Sequence, residues 1–203
     1  MSKIPERQIR ACFDDRTVRV YQAYRNDIAD AALAAGTFVS PPFAMSRMTW
    51  IKPSFLWMMY RAGWGHKDPG QNRILAIDIT RAGFEWALAN ACSSHRDPDM
   101  SEDDWRAFKN RHPVRVQWDP ERDLLHNPLA HRSLQVGLEG DAVRRYVREW
   151  IVGITDITPL AHALHTLVAA GKLEEAALQL PPERVYTLTN ATDLPAAIAP
   201  SPT

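Results

Sequence analysis

From Val18 to Tyr24 the chain alternates β-branched or aromatic residues with polar ones (VRVYQAY), the period of a strand with one face turned inward. Asn26 or Asp27 then opens an alanine-rich run, IADAALAA, closed by Gly36, which predicts a helix with a glycine C-cap. Residues 37–47 hold Pro41 and Pro42 and show no period, so they should cross the surface before TWI. A helix follows that Pro53 can start in its first turn and that Gly63 and Gly65 end. RILAIDI (73–79) has the look of a buried strand, Thr80 of a cap for a helix through Ala91, and SEDD (101–104) of a capping box opening a helix to about Asn110.

VRVQW (114–118) and SLQVGL (133–138) are alternating runs joined by a long polar connection, DPERDLLHNPLAHR, which predicts a strand pair without a tight hairpin. Asp141 would cap a short helix AVRRYVRE, WIVGI has strand character, and Thr158 with Pro159 starts PLAHALHTLVAA, closed by Gly171. A last short helix, LEEAALQL, precedes LPPERVYTL. The tail 190–203 is rich in Ala, Pro, Ser and Thr, offers little to bury and is expected to be loosely held beside a single domain over 1–189. Strands and helices mix without a regular βαβ alternation, so the expected fold is α+β, with mixed or antiparallel sheets and flanking helices.

Composition narrows the class. The chain has 203 residues, 45% hydrophobic and 24% charged, which fits one soluble globular domain and excludes disordered, collagenous and coiled-coil chains. Lys and Arg number 24 against 24 Asp and Glu, so no global field recruits nucleic acid or an anionic membrane, and any such binding has to come from a local patch. No apolar run approaches the roughly 20 residues of a membrane span. Two cysteines, Cys12 and Cys92, are too few for a disulfide scaffold and lack metal-ligand spacing, and the polar start MSKIPERQIR is no leader, so a cytoplasmic protein with reduced thiols is expected. GxGxxG, GxxxxGK, HExxH, GxSxG and CxxC are all absent. His162 and His165 lie three apart on a helix that otherwise alternates Ala and Leu like a packing face, and no metal site is expected.

Two segments concentrate polar chemistry. Residues 47–67, RMTWIKPSFLWMMYRAGWGHK, carry Arg47, Lys52, Arg61 and Lys67 among Trp50, Trp57, Tyr60 and Trp64, with no acid. Cations that neutralise phosphate beside flat rings that stack a base are the mixture a nucleotide site requires. On a helix from Pro53, Trp57 and Arg61 share a face near Ser54, while Phe55, Met58 and Met59 take the packed side. The same pattern also describes a core of Trp, Met and Phe with snorkelling cations at its rim. In the second segment Arg115 and Gln117 project from one strand face, and Arg132, Ser133 and Gln135 recur on the next strand. If the strands pair, these side chains line one face, either a binding surface or a solvated one. Glu149, beside Trp150 at the entrance of an apolar strand, is a catalytic acid or an edge charge.

The blocks IRACFDDRTVRVYQAY, RMTWIKPSFLWMMYRAGWG, VRVQWDPER, HRSLQVGL and REWIVGITDIT, in order from about Ile9 to Tyr186, resemble domain-of-unknown-function family 4291. At a second level, VRVYQAYRNDIADAALAAGTF resembles the opening of the ADP-ribosyltransferase superfamily. TWIKPSFLWMMY resembles its strand and Ser-containing helix, and EWIVGITDIT its late strand with the catalytic glutamate. That resemblance implies an NAD-dependent transferase in which Gln22 orients NAD, Trp50 and Ser54 take the middle positions and Glu149 is the glutamate. Gln22 stands where His or Arg is usual, and Trp50 where Tyr or Ser is. In such a site Arg47, Lys52 and Arg61 would clamp the pyrophosphate and Trp50 or Tyr21 would stack. Trp57, Lys67, Arg115, Gln117, Arg132 and Gln135 are left for an acceptor such as RNA or DNA. The alternative is a non-catalytic module that binds a nucleotide or single-stranded nucleic acid through 47–67.

Overall fold

The alternating and capped segments of the sequence become a structure of two larger sheets and one two-stranded sheet, given by a computed structural model that describes residues 5–189 together with 195, 197 and 198. In chain order the first elements are β1 (Arg10–Ala11), β2 (Thr17–Tyr24), α1 (Asn26–Ala35), β3 (Thr49–Ile51), α2 (Phe55–Ala62), β4 (Arg73–Thr80), α3 (Arg81–Ala89), β5 (Ala91–Ser93) and α4 (Glu102–Asn110). They continue with β6 (Val114–Arg122), β7 (Pro128–Leu138), α5 (Asp141–Arg145), a π-helical turn (Tyr146–Trp150), β8 (Ile151–Asp156), α6 (Thr158–Ala169), α7 (Leu173–Ala177) and β9 (Arg184–Val185). Among the described residues no helix is long and apolar enough to cross a membrane.

Strands β2, β4 and β8 form an antiparallel sheet with β4 in the centre. The second sheet has the order β3-β7-β6-β5, antiparallel except where β5 runs parallel to β6. The fold is thus a single α+β domain with mixed and antiparallel sheets and flanking helices. Val18, Val20, Leu75, Ile77 and Ile79 of the first sheet and Val116, Leu134, Val136 and Leu138 of the second share one apolar core, joined by Phe84 and Leu88 of α3. The other face of β2 and β4, through Tyr21, Ile74 and Ala76, is sealed by Phe55, Met58 and Met59 of α2 and by Ala161 and Leu164 of α6. Because β4 is covered on both faces, RILAIDI is a nearly continuous apolar run rather than an alternating one.

The two sheets are tied at a bridge between Tyr21 and Lys52, whose backbones exchange N–H to O bonds of 2.7 and 3.3 Å. One residue further along β2 the side chain of Gln22 continues the link, donating from Nε2 to Thr49 Oγ1 at 2.7 Å and to the Trp50 carbonyl at 3.2 Å.

Several local expectations shift. Pro53 lies before the cap rather than in the first turn of α2, because the Ser54 hydroxyl accepts the Trp57 N–H at 3.2 Å and takes the cap position. Helix α3 stops at Ala89 instead of Ala91, since Ala91–Ser93 pairs with Val114–Val116 as β5. The polar connection DPERDLLHNPLAHR is mostly strand, and β6 and β7 close on a tight loop over 123–127. There the Asp123 carboxylate accepts the Leu125 and Asn127 N–H groups at 2.9 and 2.8 Å, a turn chemistry that the loop's polarity concealed. The expectation for the tail falls on residues outside those described, apart from 195, 197 and 198. Ile198 is buried there, and Trp118 Nε1 donates to the Ala197 carbonyl at 2.9 Å.

Candidate ligand-binding cleft

Where the end of β2 meets β3, a cleft of about 720 Å³ opens, floored by β-strand side chains and walled by residues 42–50 and the end of α2. Among the described residues four cations line it, Arg25, Arg47, Lys52 and Arg61, and no Asp or Glu does. Arg25 is held by Asp27 at 2.5 Å, but among the described residues no carboxylate lies within ion-pair distance of Arg47, Lys52 or Arg61. A concave surface with unmatched positive charge and low-dielectric walls focuses its field on an anionic ligand.

Lys52 is the buried member of this set, 6% exposed, with Nζ donating to the Trp50 carbonyl at 3.2 Å. Burial, reinforced by the nearby Arg61 charge and opposed by Asp119, pulls its amine down to about 7. Arg47 and Arg61 are exposed at the mouth. Trp50 is half-buried and lines the cleft with its ring set close over Gly137 of β7, where a methyl group would stand 3.0 Å from the ring carbons.

Gln22 is buried and anchored on every side. Its Nε2 shares two hydrogens among three acceptors, Thr49 Oγ1, the Tyr24 hydroxyl at 2.9 Å and the Trp50 carbonyl, and its Oε1 accepts the Tyr146 hydroxyl at 2.8 Å. Both amide N–H bonds are therefore committed. The network offers a ligand the hydrogen that the Tyr24–Thr49 hydroxyl pair, 2.9 Å apart, does not use internally. Burial pushes the Tyr24 phenol up to about 12, so it stays a neutral hydroxyl.

The outer face of the second sheet supplies the rest of the floor. Alternation along β6 and β7 sends Val116, Leu134 and Val136 into the core and Gln117, Asp119, Ser133 and Gln135 to the opposite face. This face is covered rather than solvated: Arg122 stacks over the Tyr60 ring at 4.0 Å and the Trp57 ring at 5.7 Å, which fastens α2 across β6. Gln117 and Gln135 reach the cleft, and both donate to the Asp119 carboxylate, at 2.8 and 2.5 Å.

Of the residues singled out in the sequence, Gln22, Arg47, Trp50, Lys52, Arg61, Gln117 and Gln135 thus converge on one cavity. The others lie elsewhere. Tyr21 points to the opposite side of β2 and packs edge-on to Phe55 at 5.6 Å, because adjacent strand residues face opposite ways. Ser54 is buried in its capping role. Trp57 is 5% exposed against Tyr60, and Lys67 is an exposed residue beyond α2. Arg115 is buried against the carbonyls of His112 and Lys109 and against Glu139, so its charge closes a loop. Arg132 lines a smaller depression on the far side of Gln117, paired to Glu6 at 2.7 Å.

The π-helical turn directs Tyr146 inward to Gln22 and leaves Glu149 facing out, its side chain 56% exposed and 3.3 Å from Arg145. Glu149 does not line the cleft. His162 stacks on His66 at 4.3 Å, with His165 5.3 Å from His66. Burial raises both thiols, Cys12 and Cys92, so neither is an activated thiolate. Tyr24, Thr49 and Arg25 also line the cleft and were not singled out, although Thr49 adjoins Trp50 and Tyr24 lies two residues along β2 from Gln22.

The family described as Domain of unknown function (DUF4291) matches residues 8–186. No curated protein matches the chain. The matched span takes in β1 through β9 and every residue of the cleft, and the chain belongs to this family.

Proposed function

We propose that the cleft binds a phosphorylated nucleotide, with NAD as the first candidate and ADP-ribosyl transfer as the reaction. The observation that carries the binding half is the grouping of Arg47, Lys52 and Arg61, none paired with an acid among the described residues, beside the ring of Trp50 in a cleft of about 720 Å³. That volume lies within the range of small-molecule sites, roughly 300 to 1,000 Å³. Arg47, Lys52 and Arg61 neutralise phosphate charge, Trp50 offers a stacking face, and the Tyr24–Thr49 hydroxyls held by Gln22 offer a fixed donor. ADP-ribosyl transfer breaks the bond from ribose to nicotinamide through an oxocarbenium-like state, which a carboxylate stabilises. The resemblance assigns that carboxylate to Glu149, so the transfer half rests on the resemblance rather than on the cleft.

A second reading, a non-catalytic module for a nucleotide or single-stranded nucleic acid, is favoured by the outward ion pair of Glu149 with Arg145. Label transfer separates the two. The full chain is incubated with adenylate-labelled NAD and offered RNA, single-stranded DNA and mixed protein acceptors, with Glu149→Gln alongside. Covalent label on one acceptor class, lost in the variant, is the result expected of the transferase. Bound but unconsumed NAD is the result expected of the binding module.

A further inference from the structure

Gln117 and Gln135 face each other across β6 and β7 as register partners, and each donates one Nε2 hydrogen to a different oxygen of Asp119. The Asp119 carboxylate has only acceptor oxygens to offer the two amides. Each glutamine must therefore present its nitrogen to it. The usual ambiguity of amide orientation is removed by chemistry, because a turned amide would set oxygen against oxygen. Each amide keeps one N–H and its whole carbonyl oxygen uncommitted to Asp119, and both residues line the cleft. The result is a rigid array of alternating donors and acceptors on a strand face, two residues along β7 from Gly137, where the Trp50 ring lies.

We infer that Gln117 and Gln135, oriented by Asp119, form a base-reading subsite that selects which nucleotide the cleft accepts. This rests on the cleft being a nucleotide site and names the part of the ligand that it discriminates. A glutamine amide pairs bidentately with the N6 and N7 edge of adenine, and a good bidentate pair is worth about 1–3 kcal/mol of discrimination against the wrong base. A pocket of fixed, poorly solvated amides also rejects a ligand that leaves them unpaired. Asp119 is a positioning residue here: it touches the amides and leaves the base to them.

The test is calorimetric titration of the full chain with ADP, GDP, CDP, UDP and inorganic pyrophosphate. The subsite predicts ADP binding roughly tenfold or more tighter than GDP, the lower end of that discrimination. Gln117→Leu and Gln135→Leu should each bring the four nucleotides together while leaving pyrophosphate affinity unchanged. Asp119→Asn should alter the rank order, since asparagine puts an NH2 group in place of one acceptor oxygen and forces one glutamine to turn. Gln117→Asn and Gln135→Asn, which draw the amide back by one methylene, give the same readout if a leucine variant does not fold. Equal affinities for all four nucleotides with pyrophosphate still bound, or a preference that survives both glutamine variants, overturns the subsite and leaves the anion site standing. Failure of every probe, pyrophosphate included, overturns the nucleotide reading beneath it.

Discussion

Tyr21 and Lys52 hold each other by two backbone hydrogen bonds and send their side chains to different places, the phenol beneath α2 and the amine to the cleft. The bridge fixes where the two sheets meet. It also explains how a lysine comes to be buried: its backbone is drawn into sheet pairing while Met58 and Arg61 of α2 share the cleft wall.

That burial makes stability depend on pH in a defined direction. Lys52 has its amine pulled from 10.5 to about 7, so between about pH 7 and 10.5 the unfolded chain holds a proton that the folded chain lacks. Stability should rise with pH through this window, and the penalty is complete below it. Lys52→Met should flatten that rise in a melting-temperature profile and raise the melting temperature at pH 7. It should also weaken anion binding most below pH 7, where the amine is charged.

Glu183 has the opposite sign. Its carboxyl turns inward to accept the Phe55 N–H at the start of α2, at 2.6 Å, and burial, aided by nearby Glu121, pushes it from 4.5 to about 8. The folded chain then holds the extra proton between about pH 4.5 and 8, and stability is lost as pH rises through that range. Glu183→Gln keeps the acceptor and removes the titration. It should melt higher than the parent at pH 9, with little difference at pH 4, and a variant that melts lower at pH 9 would show the carboxylate to be favourable.

Trp57 separates core from site. It is 5% exposed, lies outside the cleft and has no partner for its indole N–H among the described residues. Trp57→Ala should cost about 3–5 kcal/mol in denaturant unfolding, the usual range for a large buried aromatic. Trp57→Phe keeps most of the ring and removes the orphaned donor, so it should cost far less. Neither should change pyrophosphate affinity once the protein is folded.

Gly83 shows a constraint invisible to periodicity. A glycine in the first turn of α3 looks like a weak helix choice, yet a methyl group there would stand 2.3 Å from Cγ of Trp150. Gly83→Ala should therefore destabilise despite the better helix propensity of alanine, by about 1–3 kcal/mol as an overpacked site. The same unfolding measurement reads it, and a stabilised variant would contradict the packing.

Strands and helices with strong local signals were legible: the alternation of 18–24, the Gly36 and Gly63 caps, and the Thr80 and Ser101 N-caps all stand where pattern placed them. Pairings between distant short segments were not. β1 and β9, two residues each and separated by most of the chain, have no periodicity to read. At the site, the cationic and aromatic composition of 47–67 located the right region but could not divide it. Trp50 and Trp57 are seven residues apart in the same segment, and only the turn from β3 into α2 sends one to the cleft and the other to the core. Gln117 and Gln135 followed from strand alternation. Their orientation by Asp119 required the register.

In the proposed nucleotide site, Arg47, Lys52 and Arg61 hold the phosphates. Calorimetric titration of the full chain with NAD at pH 6.5, repeated with Arg47→Ala and Arg61→Ala, tests it most directly. The expected result is saturable binding that either variant weakens by roughly tenfold, the scale of one lost charged contact of about 1.4 kcal/mol. No binding at millimolar NAD, or an affinity that both variants leave unchanged, would contradict it.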